Sequence, residues 1–182
     1  MRWFTRRWHG GRMSDALVER VRDDYGRHIA DLRPDLPPGV LPLARAAEPI
    51  SMHDGHFISV QAPHARPGRL IFDIACWDMA HGTLRDNVWT YPDLHVRVVY
   101  DDAQLLRPKT LRQLDRRARD AATEILYDEF DRSAEGQTFE HRMLLWPPRA
   151  GFVVVRFGNA NVTAVRFDGT EATVLPDRPQ AR

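Results

Sequence analysis

The sequence predicts an α+β fold dominated by antiparallel β-structure. Three observations lead there. A helical apolar period opens the chain and recurs once, over 108–120. The pattern then changes to two-residue alternation over strand-sized segments. Those segments follow one another without the regular strand–helix alternation of a parallel, doubly wound sheet.

The first element is a helix over residues 14–32. Ser14 suits the N-cap and Asp15 the positive helix end, and Leu17, Val21, Tyr25 and Ile29 recur at steps of four. Pro34, Pro37 and Pro38 end it. Residues 40–51 are irregular, with a short helical turn expected over 43–47. Alternation begins at 56–61, the first expected strand. The second, 69–77, places Leu70, Phe72, Ile74 and Cys76 on one face. Residues 78–93 are expected to form a long loop. The third strand, 94–100, aligns Leu94, Val96, Val98 and Tyr100, and a short fourth covers 104–106.

A basic helix is expected over 108–120, with Leu111, Leu114 and Ala118 at helical spacing. Further strands follow at 124–131, 138–146, 151–157 and 162–167, separated by turn chemistry at 133–136, 147–149 and 158–159. Asp168-Gly169 signals a hairpin into an edge strand at 171–175. The expected assembly is two antiparallel meanders, packed as a sandwich or incomplete barrel and joined by the second helix. A weak internal repeat relates 52–107 to 123–175. The whole reads as one domain over 1–175, with a frayed tail from Pro176.

Composition narrows the class. The chain has 182 residues, 43% hydrophobic and 28% charged, which suits a globular protein rather than a disordered one. Lys and Arg number 26 against 25 Asp and Glu, a net charge of +1 that supplies no strong field toward nucleic acid or anionic membrane. The single cysteine, Cys76, excludes an internal disulfide framework. No apolar run reaches the roughly 20 residues of a membrane helix, and the charged N-terminus lacks the apolar stretch of a secretory signal. A cytoplasmic protein is expected, without membrane insertion.

The densest polar cluster is Ser51-Met52-His53-Asp54-Gly55-His56. His53, Asp54 and His56 could hold a divalent metal, or pair a base with its orienting acid. The plainer reading is a turn at Asp54-Gly55, with His53 hydrogen-bonded to backbone at the start of the strand. Glu129 and His141 could meet across a hairpin as an acid–base pair or, more plainly, as a cross-strand polar pair; Asp128 lies beside them. Asp73 interrupts an apolar strand, with Arg97 as a partner across the sheet. Cys76 aligns with core residues and reads as an inert thiol.

Two stretches are basic. Arg2, Arg6, Arg7 and Arg12 interleave with Trp3, Phe4 and Trp8, and Arg112, Arg116, Arg117 and Arg119 fall on the second helix. Either could contact nucleic acid. Asp115 and Asp120 interrupt the second, and the plainer reading is aromatics packed on the domain with wet arginines. The loop carrying Trp77, Met79, His81, Trp89 and Tyr91 offers typical interface anchors.

Met1-Arg2-Trp3-Phe4-Thr5 with Trp8 resembles the opening of a small bacterial family without assigned biochemistry. Ser51 to Ile58 resembles the Leu-His-Asp-Ala/Gly motif shared by that family and some immunity proteins of bacterial toxin systems. The resemblance implies a small single-domain protein that acts by binding, and it carries over no catalytic residues.

The reading is therefore a non-enzymatic interaction module. It needs no cofactor or metal, and its partner is a protein bound through Trp77, Met79, Trp89 and Tyr91. The first alternative is a hydrolase, metal-dependent or acid–base, that uses His53, Asp54 and His56 with Glu129 or His141. The second is a nucleic-acid accessory factor.

Overall fold

The structure is a computed structural model and describes residues 2–5, 13–44, 50–78, 81–119, 123–147, 151–166 and 171–172. Helix α1 spans Asp15–Leu32. The Ser14 carbonyl accepts the first helical N–H bonds, from Leu17 (2.9 Å) and Val18 (3.0 Å), while its hydroxyl makes no cap bond. The apolar stripe buries Tyr25, Ile29 and Leu32, whereas Leu17 and Val21 are only half-buried. A 3₁₀ turn spans Pro38–Val40, and the Leu43 and Ala44 N–H groups donate back to the Val40 carbonyl (2.9 and 3.1 Å); residues 45–47 of the helical turn expected at 43–47 lie outside the described residues. Gly39 lets this turn lie on another strand's backbone. A Cβ there would meet the Ala160 carbonyl oxygen at 2.4 Å.

The strands are β1 (Ile50–Gln61), β2 (Leu70–Asp78), β3 (Thr83–Arg85), β4 (Val88–Thr90), β5 (Asp93–Asp101), β6 (Gln104–Arg107), β7 (Glu124–Arg132), β8 (Phe139–Trp146), β9 (Phe152–Phe157), β10 (Asn159–Arg166) and β11 (Glu171–Ala172). Helix α2 (Leu111–Ala118) joins β6 to β7. The expected α+β class with two antiparallel meanders is present: β1, β2 and β5 form one, β7, β8 and β9 the other.

Three expectations needed correction. The first strand begins at Ile50, not His56, because the backbone accommodates Asp54 at φ 58° within a bulge instead of turning there. The long loop 78–93 contains the hairpin β3–β4. Strand β10 begins at Asn159, directly after Gly158.

The larger sheet has the order β11-β10-β5-β2-β1-β7-β8-β9-β6. Its two halves meet at a corner. Asp102 and Ala103 connect β5 to β6, Gly158 connects β9 to β10, and Gly158 N–H donates to the Asp101 carbonyl (3.2 Å). The β5·β10 and β6·β9 ladders are thus one bent strand pair. The strands form a circuit: β1, β2, β5–β6, β9–β10, β8, β7 and back to β1.

That last step is the weak one. The β1·β7 ladder has a single residue pair, Gly55 with Ile125. Side chains serve the rest of this edge of β7. The His56 and His53 rings bond the Thr123 and Leu126 carbonyls. The Tyr25 hydroxyl accepts from Phe130 N–H at 3.0 Å, and His28 Nε2 lies 3.2 Å from the Phe130 carbonyl. Helix α1 therefore stands along a seam in an incomplete barrel.

The alternating residues converge in one buried cluster. Phe72, Ile74, Val96, Val98, Tyr100, Phe130, Met143, Val153, Val155 and Phe157 are inaccessible to solvent. Among the described residues no helix is long and apolar enough to cross a membrane.

Candidate functional site

The hairpin β3–β4 follows from its turn. Asp86 and Asn87 both adopt positive φ (50° and 61°), the geometry of a two-residue hairpin turn, which Asn and Asp tolerate better than most residues. Thr83 pairs with Thr90, Leu84 with Trp89 and Arg85 with Val88. The Thr83 and Thr90 hydroxyls are 2.9 Å apart and brace one face. Leu84, Trp89 and Tyr91 take the other. The Trp89 and Tyr91 rings lie nearly parallel, 7° between planes and 6.1 Å between centroids. Gly82 makes room for them, since a Cβ would come within 2.4 Å of the Tyr91 ring.

Every residue of both hairpin strands is exposed. Leu84 (53%), Val88 (60%) and Trp89 (57%) are the most exposed large hydrophobic residues among those described. At the base, the buried Asp78 carboxylate receives Arg166 (3.1 Å) and His81 (2.7 Å). Trp77, also at the base, is half-buried in β2, whereas Met79 lies outside the described residues. Sequence reading singled out Trp89 and Tyr91 but missed Leu84 and Val88. The Asp86-Asn87 pair, flanked by Thr83-Leu84-Arg85 and Val88-Trp89-Thr90, was the available signal.

His53, Asp54 and His56 occupy the β1 bulge. His53 Nδ1 bonds the Leu126 carbonyl, its ring stacks on Tyr127 (4.8 Å), and its Nε2 is 3.6 Å from Asp54. His56 Nδ1 lies 3.3 Å from the Thr123 carbonyl. One nitrogen of each ring is thereby committed to backbone on the β1–β7 seam. Among the described residues no group of three His, Cys, Asp or Glu side chains is placed to hold a metal ion.

Glu129 and His141 do not meet. The ladder pairs Glu129 with Arg142 and Phe130 with His141, so the two side chains point to opposite faces of the sheet. That register is set at the hairpin turn, where Arg132 pairs with Phe139, and it runs unbroken from there to Tyr127. His141 lies inside the barrel. Its Nδ1 is 2.7 Å from the Tyr100 hydroxyl, its Nε2 2.8 Å from Asp128, and its ring stacks on Phe130 at 4.1 Å. Tyr100, His141 and Asp128 thus form one chain of polar contacts. Burial, then the Asp128 charge, pushes the Tyr100 phenol well above its ordinary pKa. Burial likewise pushes the Cys76 thiol up to about 12, helped by Asp128 and Asp78, so this cysteine is unreactive at neutral pH.

On the outer face, Asp73 receives Arg97 through two bonds (2.7 and 3.2 Å), Ser59 (2.7 Å) and His95 (3.1 Å). Burial alone would raise the Asp73 carboxyl pKa, but these bonds and the Arg97 charge outweigh it and lower the pKa. Arg119, just past the end of α2, is bonded to Asp115 (2.7 Å), while Arg112 and Arg116 on α2 are exposed. The Arg2 guanidinium lies over the Trp3 ring at 4.5 Å. Arg6, Arg7, Trp8, Arg12 and Asp120, and the Arg117 side chain, are outside the described residues.

No protein-family model, no curated protein and no solved structure matches this chain. The candidate site therefore rests on its own geometry, an apolar and aromatic hairpin whose every strand residue is exposed.

Proposed function

We propose that the protein is a non-enzymatic interaction module that binds a protein partner through the β3–β4 hairpin. The observation that carries this reading is the exposure of Leu84, Val88 and Trp89 on an element whose every strand residue faces solvent. A two-stranded hairpin alone is marginally stable in water, and aromatic residues on a protruding element are typical binding anchors. The similarity of residues 51–58 to immunity proteins of toxin systems supports binding rather than catalysis. A cytoplasmic setting agrees with the lone buried Cys76.

The test is affinity capture with the intact chain and with a Leu84→Ser/Trp89→Ser variant of the same thermal stability. A near-stoichiometric protein partner should be retained by the first, with affinity falling by roughly 30-fold or more in the second, as loss of a hot-spot anchor predicts. Equal retention by both chains would remove the hairpin from the interface. Retention of nucleic acid that weakens steeply with salt would favour the accessory-factor alternative.

A further inference from the structure

A second surface, on β7 and α1, holds a stretch of the chain's own N-terminal backbone. Glu129 is fully buried on the outer face of β7, and its carboxylate accepts the backbone N–H groups of Arg2 (2.6 Å), Trp3 (3.1 Å) and Phe4 (3.4 Å). Main-chain donors presented to one fixed acceptor give affinity without regard to side chain, as in other extended-peptide sites. Aromatic pockets supply the selectivity. Trp3 packs on His28 (4.2 Å) and Tyr25 (5.2 Å), and Phe4 on Tyr25 (4.9 Å) and Tyr127 (5.5 Å).

Beside the segment lies an open cavity of about 600 Å³, walled by Arg2 and Trp3 on one side and by Val21, Asp24, Arg27, His28 and Asp31 of α1 on the other. Asp24 is bonded to Arg27, Asp131 to Arg142 with His28 at 3.3 Å, and Glu129 lies 3.6 Å from Arg142. The basic residue of the seated segment, Arg2, lines the cavity together with Asp24 and Asp31 and holds its guanidinium over the Trp3 ring.

We propose that the groove between α1 and β7 is a receptor for an extended partner segment with a basic residue followed by two aromatics, and that Arg2-Trp3-Phe4 occupies it here as an internal ligand. The segment acts as a strap. A partner of this chemistry binds by displacing it, so the strap sets the threshold for binding through its high local concentration. The site is separate from the hairpin and does not depend on the function proposed above.

The probe is a labelled synthetic peptide with the sequence of residues 1–5, titrated into full-length chains by fluorescence anisotropy. The Trp3→Ala/Phe4→Ala chain should bind it about tenfold or more tightly than the native chain, because the competing strap is weakened. Adding Glu129→Gln to that chain should weaken binding by about tenfold, the loss of charge-assisted hydrogen bonds. If the variants do not fold, the native chain still decides. Excess unlabelled peptide should speed amide exchange at Arg2, Trp3 and Phe4. Equal affinity of folded native and Trp3→Ala/Phe4→Ala chains, or exchange unchanged by saturating peptide, would overturn the proposal. So would a concentration-dependent dimer that requires Trp3, since a second copy would then be the occupant.

Discussion

Asp73 shows how one residue on an exposed sheet face becomes a stabilising centre. Ser59, His95 and Arg97 reach it from the two strands flanking β2. Its folded pKa lies below the unfolded value, so its contribution is present above the ordinary aspartate pKa near about 3.9. It is lost as pH falls through the depressed value. Asp73→Asn should cost about 1–3 kcal/mol at neutral pH, through weaker bonds to Arg97. It should also flatten the decline in stability below about pH 4. Urea midpoints measured from neutral to acid pH check both; an acid limb as steep as the native one would refute the assignment. The Asp73–Arg97 contact was legible in the sequence, since alternation on paired strands puts both on one face. The Ser59 and His95 bonds were not, because they depend on register.

At the scale of elements, the seam between β1 and β7 is the point of interest. A single ladder pair leaves β7 backbone groups that imidazoles and a phenol satisfy from β1 and α1. This gives His53 and His56 a structural role at the place where a metal or catalytic role was also conceivable. His53→Ala/His56→Ala should lower stability by about 1–3 kcal/mol, and faster amide exchange should be confined to the β1–β7 seam. Unchanged exchange there would show that the two rings do not hold the strands together. The histidines were visible in the sequence as a cluster. Their targets were not, because Thr123 and Leu126 come from the other meander, and only tertiary packing brings that strand alongside.

Across the whole molecule, the barrel joins two halves distant in sequence. Tyr100 comes from the first meander, and His141 and Asp128 from the second, so the Tyr100–His141 bond crosses the interior between them. A polar chain in a buried interior is specific when its partners are matched, and costly when broken. His141→Ala removes a ring stacked on Phe130 and strands both Tyr100 and Asp128. Its cost should be about 3–5 kcal/mol, against about 1–2 kcal/mol for Tyr100→Phe. Denaturant unfolding of the two variants measures the difference; equal small losses would mean that the interior adapts without this chain.

The sequence by itself determined the local periods: the α1 stripe, the alternation that buries Leu70, Phe72, Ile74 and Cys76, and the turns that separate two antiparallel meanders. These are short-range properties of side-chain spacing and backbone preference. Tertiary structure decided the rest. The register of the β7–β8 hairpin, fixed where Arg132 pairs with Phe139, puts neighbouring positions on opposite faces. It separates Glu129 from His141, directs one to the N-terminal strap and buries the other against Tyr100. The closure through Asp102 and Gly158, and the isolation of the hairpin from the barrel, likewise arise from contacts between residues far apart in the chain. No local pattern encodes such contacts, because their energy is gained only once the strands have met.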